Sequence, residues 1–126
     1  MHAKLDRTRL AERLDGQIEF AISAEMDHIP VRGNALASGD DAEDKRVEDE
    51  IFERLNSGDV WAWASVHVTA TFGKFVGHDY LGGCCYKDES DFCQDGGYWE
   101  SMKEEAFKDL LERMLDAHQA VENAYA

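Results

Sequence analysis

The sequence predicts an α+β fold: a small, three-stranded, largely antiparallel sheet with helices packed on one face. Three observations predict it. Residues 17–25 and 60–72 alternate apolar and polar side chains, the period of a half-buried strand. Residues 41–56 and 98–121 instead repeat apolar side chains every three or four positions, the period of a helix. Gly73-Lys74 follows the second alternating stretch, and glycine in first place suits a two-residue hairpin turn.

Taken in order, residues 4–14 carry Leu5, Leu10 and Leu14 among Arg, Glu and Asp. We read them as helix. Asp15-Gly16 is also a hairpin signal, which leaves a strand ending at Leu14 as the alternative. Over 17–25, Ile18, Phe20, Ile22 and Ala24 share one face, and Glu19, Ser23 and Glu25 the other. Pro30, Gly33, Asn34, Ser38 and Gly39 make residues 26–40 a long loop. Loops of that length are uncommon without a function, so it is a site candidate.

Val47, Ile51 and Leu55, widened by Phe52, give 41–56 its helical stripe. Asp40 or Asp41 caps its start, acids suit its first turn, and Asn56-Ser57-Gly58 stops it. Over 60–72, Val60, Ala62, Ala64, Val66, Val68, Ala70 and Phe72 share one face. Trp61, Trp63, Ser65, His67, Thr69 and Thr71 share the other. The returning strand runs from about Phe75 to Leu81, and residues 84–97 read as irregular. Met102, Ala106, Leu110, Met114, Ala117 and Val121 form the stripe of the last helix. The expected order is (α)-β-α-β-β-α within one domain, residues 1–126.

Charge is the strongest global property. The chain has 126 residues, with 27 Asp and Glu against 13 Lys and Arg, a formal net charge of −14. That sign disfavours direct binding to nucleic acid or to anionic lipid and attracts basic protein surfaces. Three cysteines, an odd count, argue against a disulfide framework. The N-terminal residues hold no signal-type apolar run, and no run reaches the roughly 18 to 20 residues of a membrane span. The expectation is a cytoplasmic protein that neither spans nor binds membranes.

The leading candidate site is acidic. Asp40, Asp41, Glu43, Asp44, Glu48, Asp49, Glu50 and Glu53 crowd the second helix and its approach. On a helical projection Glu43, Asp49, Glu50 and Glu53 point away from the Val47/Ile51/Leu55 stripe. The ordinary reading is a solvated helix face. The sharper reading is a rigid row of carboxylates that imitates backbone phosphates and captures a nucleic-acid-binding protein. The expected partner residues are Asp40, Asp41, Glu43, Asp44, Asp49, Glu50 and Glu53.

A second candidate is aromatic. Trp61 and Trp63 fall on one side of a strand with His67, and large rings left wet mark interfaces. The ordinary reading is that they form core. This face could serve a small enzyme or ligand-binding module, together with the loop from His78 to Cys85, or a homodimer contact.

Other chemistry is weaker. Cys84, Cys85 and Cys93 with His67 and His78 lack zinc-knuckle spacing, and adjacent cysteines in extended chain point to opposite sides. Cys84 or Cys85 with His78 and Asp79 lacks an identifiable oxyanion hole. Asp88, Glu89, Asp91, Asp95 and Gly96 are rich in oxygen but miss the EF-hand pattern. The expectation is no catalytic residue, no metal and no cofactor.

Two stretches, Ile29-Pro30-Val31-Arg32-Gly33-Asn34-Ala35 through Asp59-Val60-Trp61-Ala62-Trp63 and Asp79-Tyr80-Leu81-Gly82-Gly83-Cys84, occur with Gly96-Gly97-Tyr98. Together they resemble short open reading frames of phages and mobile elements, over most of the chain after about residue 17. The resemblance brings no catalytic residues with it. It implies a context: small acidic proteins of such elements are often inhibitors of host defence, of the anti-CRISPR or antirestriction DNA-mimic kind. The implied partner is a basic, nucleic-acid-binding host protein or complex, met in the host cytoplasm.

Overall fold

The computed structural model describes residues 5–126. The elements are α1 (Arg7–Leu14), β1 (Glu19–Met26), α2 (Asp41–Asn56), β2 (Ala64–Phe72), β3 (Phe75–Cys84), α3 (Glu89–Phe92) and α4 (Tyr98–Ala124). The strands form one antiparallel sheet in the order β1-β2-β3, and the α+β class is as the sequence predicts. Residues 7–14 are helical, so the hairpin alternative does not hold there. Lys4, the first residue of that expected segment, lies outside the described residues.

Contacts divide the chain into two compact units. The first comprises residues 5–21, 68–79 and 101–126 of the described chain. Asp6 caps α1 by accepting the Arg9 backbone N–H at 2.8 Å. The helix then buries Leu10 and Leu14 against Leu111, with Phe72, Phe107 and Met114 around them. Gly73, with φ of 59°, makes the hairpin turn between Phe72 and Phe75. Gly77 follows, and α4 lies against its backbone. A Cβ there would stand 2.1 Å from the Ala106 carbonyl oxygen, so only glycine admits the helix. Asp109 accepts the His78 backbone N–H at 2.8 Å and an Arg113 N–H at 2.9 Å. Burial alone would raise the Asp109 carboxyl, but those two bonds and the charges of Arg113 and His78 outweigh it and hold it below its usual value.

The second unit comprises residues 22–67 and 80–100. Its core gathers Val31, Ile51, Ala62 and Trp63, with Val47, Phe52 and Leu55 packed on them. The α2 stripe read from spacing is therefore the face that buries. In β2, Ala64 and Val66 are fully buried, and so are Val68 and Ala70 in the first unit. The alternation that marked this strand is real.

Residues 60–62 depart from expectation. They form a 3-10 turn, not the start of the strand. Asp59 causes this: its Oδ1 accepts the Trp61 backbone N–H at 3.2 Å, and its carbonyl accepts that of Ala62. A side-chain cap offers the backbone an alternative to the ladder. Residues 84–97 are also more ordered than the reading had them. β3 continues to Cys84, and Asp88 caps the short α3 through the Asp91 N–H at 2.8 Å. Phe92, in α3, is among the most deeply buried side chains, with Trp61 and Tyr86 against its ring. Among the described residues no helix is long and apolar enough to cross a membrane.

Candidate functional site

The sequence predicts a rigid, outward-pointing row of carboxylates on the acidic helix. The structure places them in three different environments. Glu43 and Glu50 both hold Arg46, Glu50 at 2.7 Å. The Arg46 hydrogen bond holds Glu43 below the usual carboxylate range. Asp49 takes Lys45 at 2.7 Å and Arg32 at 3.5 Å, and the Lys45 bond lowers it in turn. These are spacings of three and four on one helix, with Arg32 reaching in from the long loop. Exposed pairs of this kind stabilise little, because water and salt screen them.

The second group faces the loop. Glu48 is 6% exposed, the single buried charged residue among those described. It accepts the Gly33 backbone N–H at 2.7 Å and an Arg32 N–H at 3.2 Å. Asp44 accepts the Ser38 hydroxyl at 2.7 Å and its backbone N–H at 3.1 Å. Asp40 caps α2 through the N–H groups of Ala42 and Glu43. Asp40 and Asp44 are thus occupied in holding backbone. The third group is Asp41 and Glu53, both exposed and without an ion pair among the described residues. Glu53 lies at the centre of the outward face of α2, between Asp49 and Glu50 on a helical projection.

The long loop is fastened at its start as well. Asp27 accepts the Ile29 N–H at 3.0 Å and the Gly83 N–H at 2.6 Å. Burial works against its charge, but the N–H groups of Ile29, Gly83 and His28, with the His28 charge, keep its carboxyl below the usual value. Trp63 donates its indole N–H to the Ile29 carbonyl at 2.7 Å. Arg32 lies over the Phe52 ring, 5.1 Å from its centroid.

The aromatic candidates separate. Trp63 is 4% exposed and belongs to the core of the second unit, so it is not a wet ring. Trp61 sits in the 3-10 turn against Phe92, with ring centroids 5.6 Å apart. His67 stacks on Tyr80 at 4.2 Å. The common face drawn from strict alternation is not formed, because alternation stops where the Asp59 cap begins.

A cavity of about 320 Å³ lies in the second unit, between the long loop at Asn34 and Ala35 and the end of β3 at residues 81–86, with Trp63 and Tyr98 completing its walls. Cys85 is exposed at this cavity and Cys84 is buried beside it. Burial, and then the nearby Asp27 charge, push the Cys84 thiol up to about 11. Arg54 secures this wall: it donates to Asp59 at 2.8 Å and to the Tyr86 carbonyl at 2.6 Å. Spacing could not reveal the tie from Arg54 to Tyr86, because the two lie 32 residues apart. Asp88 and Asp91, drawn as calcium candidates, are engaged with backbone N–H groups at α3. Among the described residues no three His, Cys, Asp or Glu side chains gather as a metal-binding group. No family model, no curated protein and no solved structure matches this chain.

Proposed function

We propose that this chain is a non-enzymatic binding protein that presents an acidic surface to a basic, nucleic-acid-binding protein of a host cell. The observation that carries the reading is the excess of carboxylate that survives every ion pair. With a net charge of −14, pairing cannot neutralise the surface, and Glu53 and Asp41 stand exposed on α2 with no ion pair among the described residues. The phage-like resemblance supplies the host context and the inhibitor role, of the anti-CRISPR or antirestriction kind. The pairing seen in the structure narrows the contact. Asp49, Glu43 and Glu50 offer a partner only the charge left over from Arg46, Lys45 and Arg32. Glu53 and Asp41 offer theirs whole.

The test is capture from a host lysate at low and high salt, read by mass spectrometry, with a Glu53→Lys/Asp41→Lys variant alongside. The expected partner is basic, leaves at high salt because exposed charge pairs are screened together, and is not retained by the variant. A partner held equally by the variant at both salts ends the proposal.

A second reading has its own observation, the 320 Å³ cavity. Its size is that of a small-molecule site. On this reading the second unit is a ligand-binding module, and Tyr98→Ala abolishes binding of whatever small molecule shifts the amide signals of residues 81–86.

A further inference from the structure

We propose that the Ile22–Met26 stretch of β1 is a docking edge that takes an extended, lysine- or arginine-bearing segment of a partner protein. The proposal rests on the acidic-binding reading above and specifies where and how the partner's chain is held.

β1 is an outer strand. The order β1-β2-β3 pairs one of its sides with β2 and gives the other no strand neighbour among the described residues. A strand in that position presents a row of backbone N–H and C=O groups ready to pair. Proteins blunt such edges with proline, with lysine, or with a covering element. Ile22–Met26 reads Ile-Ser-Ala-Glu-Met and has neither proline nor lysine. Its side chains are largely accessible: Ser23, Glu25 and Met26 are exposed, and Met26 retains 54% of its surface. Ile22 and Ala24 are only half-buried. The stretch therefore offers backbone pairing along its edge and a shallow apolar row on one face.

Charge chooses the occupant. Glu25 is the one charged residue of the stretch, and Glu19 is the other acid of the strand. A second copy paired antiparallel about Ile22 would set Glu19 opposite Glu25 on both sides of the axis. Like charges directly opposite in a sheet destabilise the pair. The incoming strand must instead carry cations at those positions, with apolar residues between them to meet Ile22 and Ala24. This is addition of a strand to a sheet edge, in which main-chain bonds provide affinity and alternate side chains provide selection.

The experiment uses the full chain and capped synthetic peptides. One alternates lysine and valine, one is the same peptide N-methylated at alternate residues, and one alternates glutamate and valine. Affinity is read by fluorescence anisotropy at low salt, and position by amide chemical shifts and hydrogen exchange. The lysine peptide is expected to bind and to slow exchange at amides within 22–26. N-methylation should weaken it about ten-fold or more, since two or three net hydrogen bonds are lost. The glutamate peptide should not bind wild type, and Glu25→Lys should reverse the preference. Equal binding by the N-methylated peptide, or shifts confined to α2, overturns the docking edge and leaves the acidic-surface reading standing. Failure of both lysine peptides to bind overturns the edge and counts against the acidic reading as well. A wild-type dimer in light scattering that Glu25→Lys strengthens or dissolves overturns it in favour of a second copy.

Discussion

Glu48 of α2 accepts the backbone N–H of Gly33 at 2.7 Å, across fifteen residues of sequence. This bond, with Arg32 on the other carboxylate oxygen, fastens the long loop to the helix. It also explains why so acidic a helix folds against an apolar core. Its buried carboxylate is matched by two donors, as a buried charge must be.

Replacing Glu48 with alanine leaves the Gly33 N–H and the Arg32 guanidinium without their acceptor. The expected cost is about 1–3 kcal/mol of stability. Glu48→Gln should recover part of it, because an amide oxygen still accepts. Urea unfolding measures the loss, and faster amide exchange at Gly33 locates it.

Asp27 gives the loop a pH dependence. Burial alone would raise its folded-state carboxyl, but the N–H groups of Ile29, Gly83 and His28, with the His28 charge, outweigh burial and hold it below the ordinary 3.8. Stability from this latch is therefore complete above pH 3.8, and is lost as pH falls through the lower folded value. Asp27→Asn lacks that contribution. The stability difference between wild type and variant should be constant near neutrality and shrink below pH 3.8, as followed by acid unfolding.

Gly77 makes the sharpest packing prediction. A methyl group there would press into the Ala106 carbonyl and the Leu110 backbone, which belong to a helix and cannot move alone. Gly77→Ala should cost the first unit about 3 kcal/mol or more. A thermal melt of the variant near that of wild type would contradict the close approach.

The neighbouring cysteines should react very differently. Cys85 is exposed, while Cys84 is buried with its thiol raised to about 11. At mildly alkaline pH iodoacetamide should label Cys85 first, with Cys84 slower by about a hundred-fold or more, because only the thiolate attacks. Peptide mass mapping over time distinguishes the two, and denaturant should erase the difference.

Much of the fold could be read from periodicity. Residues 41–56 and Asp41–Asn56 coincide because both ends carry local signals, the Asp40 cap and Ser57-Gly58. β2, its turn at Gly73 and β3 were legible because a half-buried strand writes its burial into every second residue. Trp63 is core, as its ordinary reading has it, but the shared strand face with Trp61 is not formed, because alternation cannot register that Asp59 captures the backbone at residue 61. The ion pairs within α2 were implicit in their spacing of three and four. The roles of Glu48, Asp27 and Arg54 were not, since each depends on a partner distant in sequence. A helical projection shows which carboxylates point outward, but not which are already held.

The central claim is that this acidic surface takes the place of nucleic acid on its partner. The direct measurement is a competition. A labelled nucleic acid bound to the captured partner is titrated with wild type and with Glu53→Lys/Asp41→Lys, and anisotropy reports release. Release by wild type, lost in the variant and at high salt, is the predicted result. A nucleic acid that stays bound while the chain binds the same partner beside it would contradict the claim.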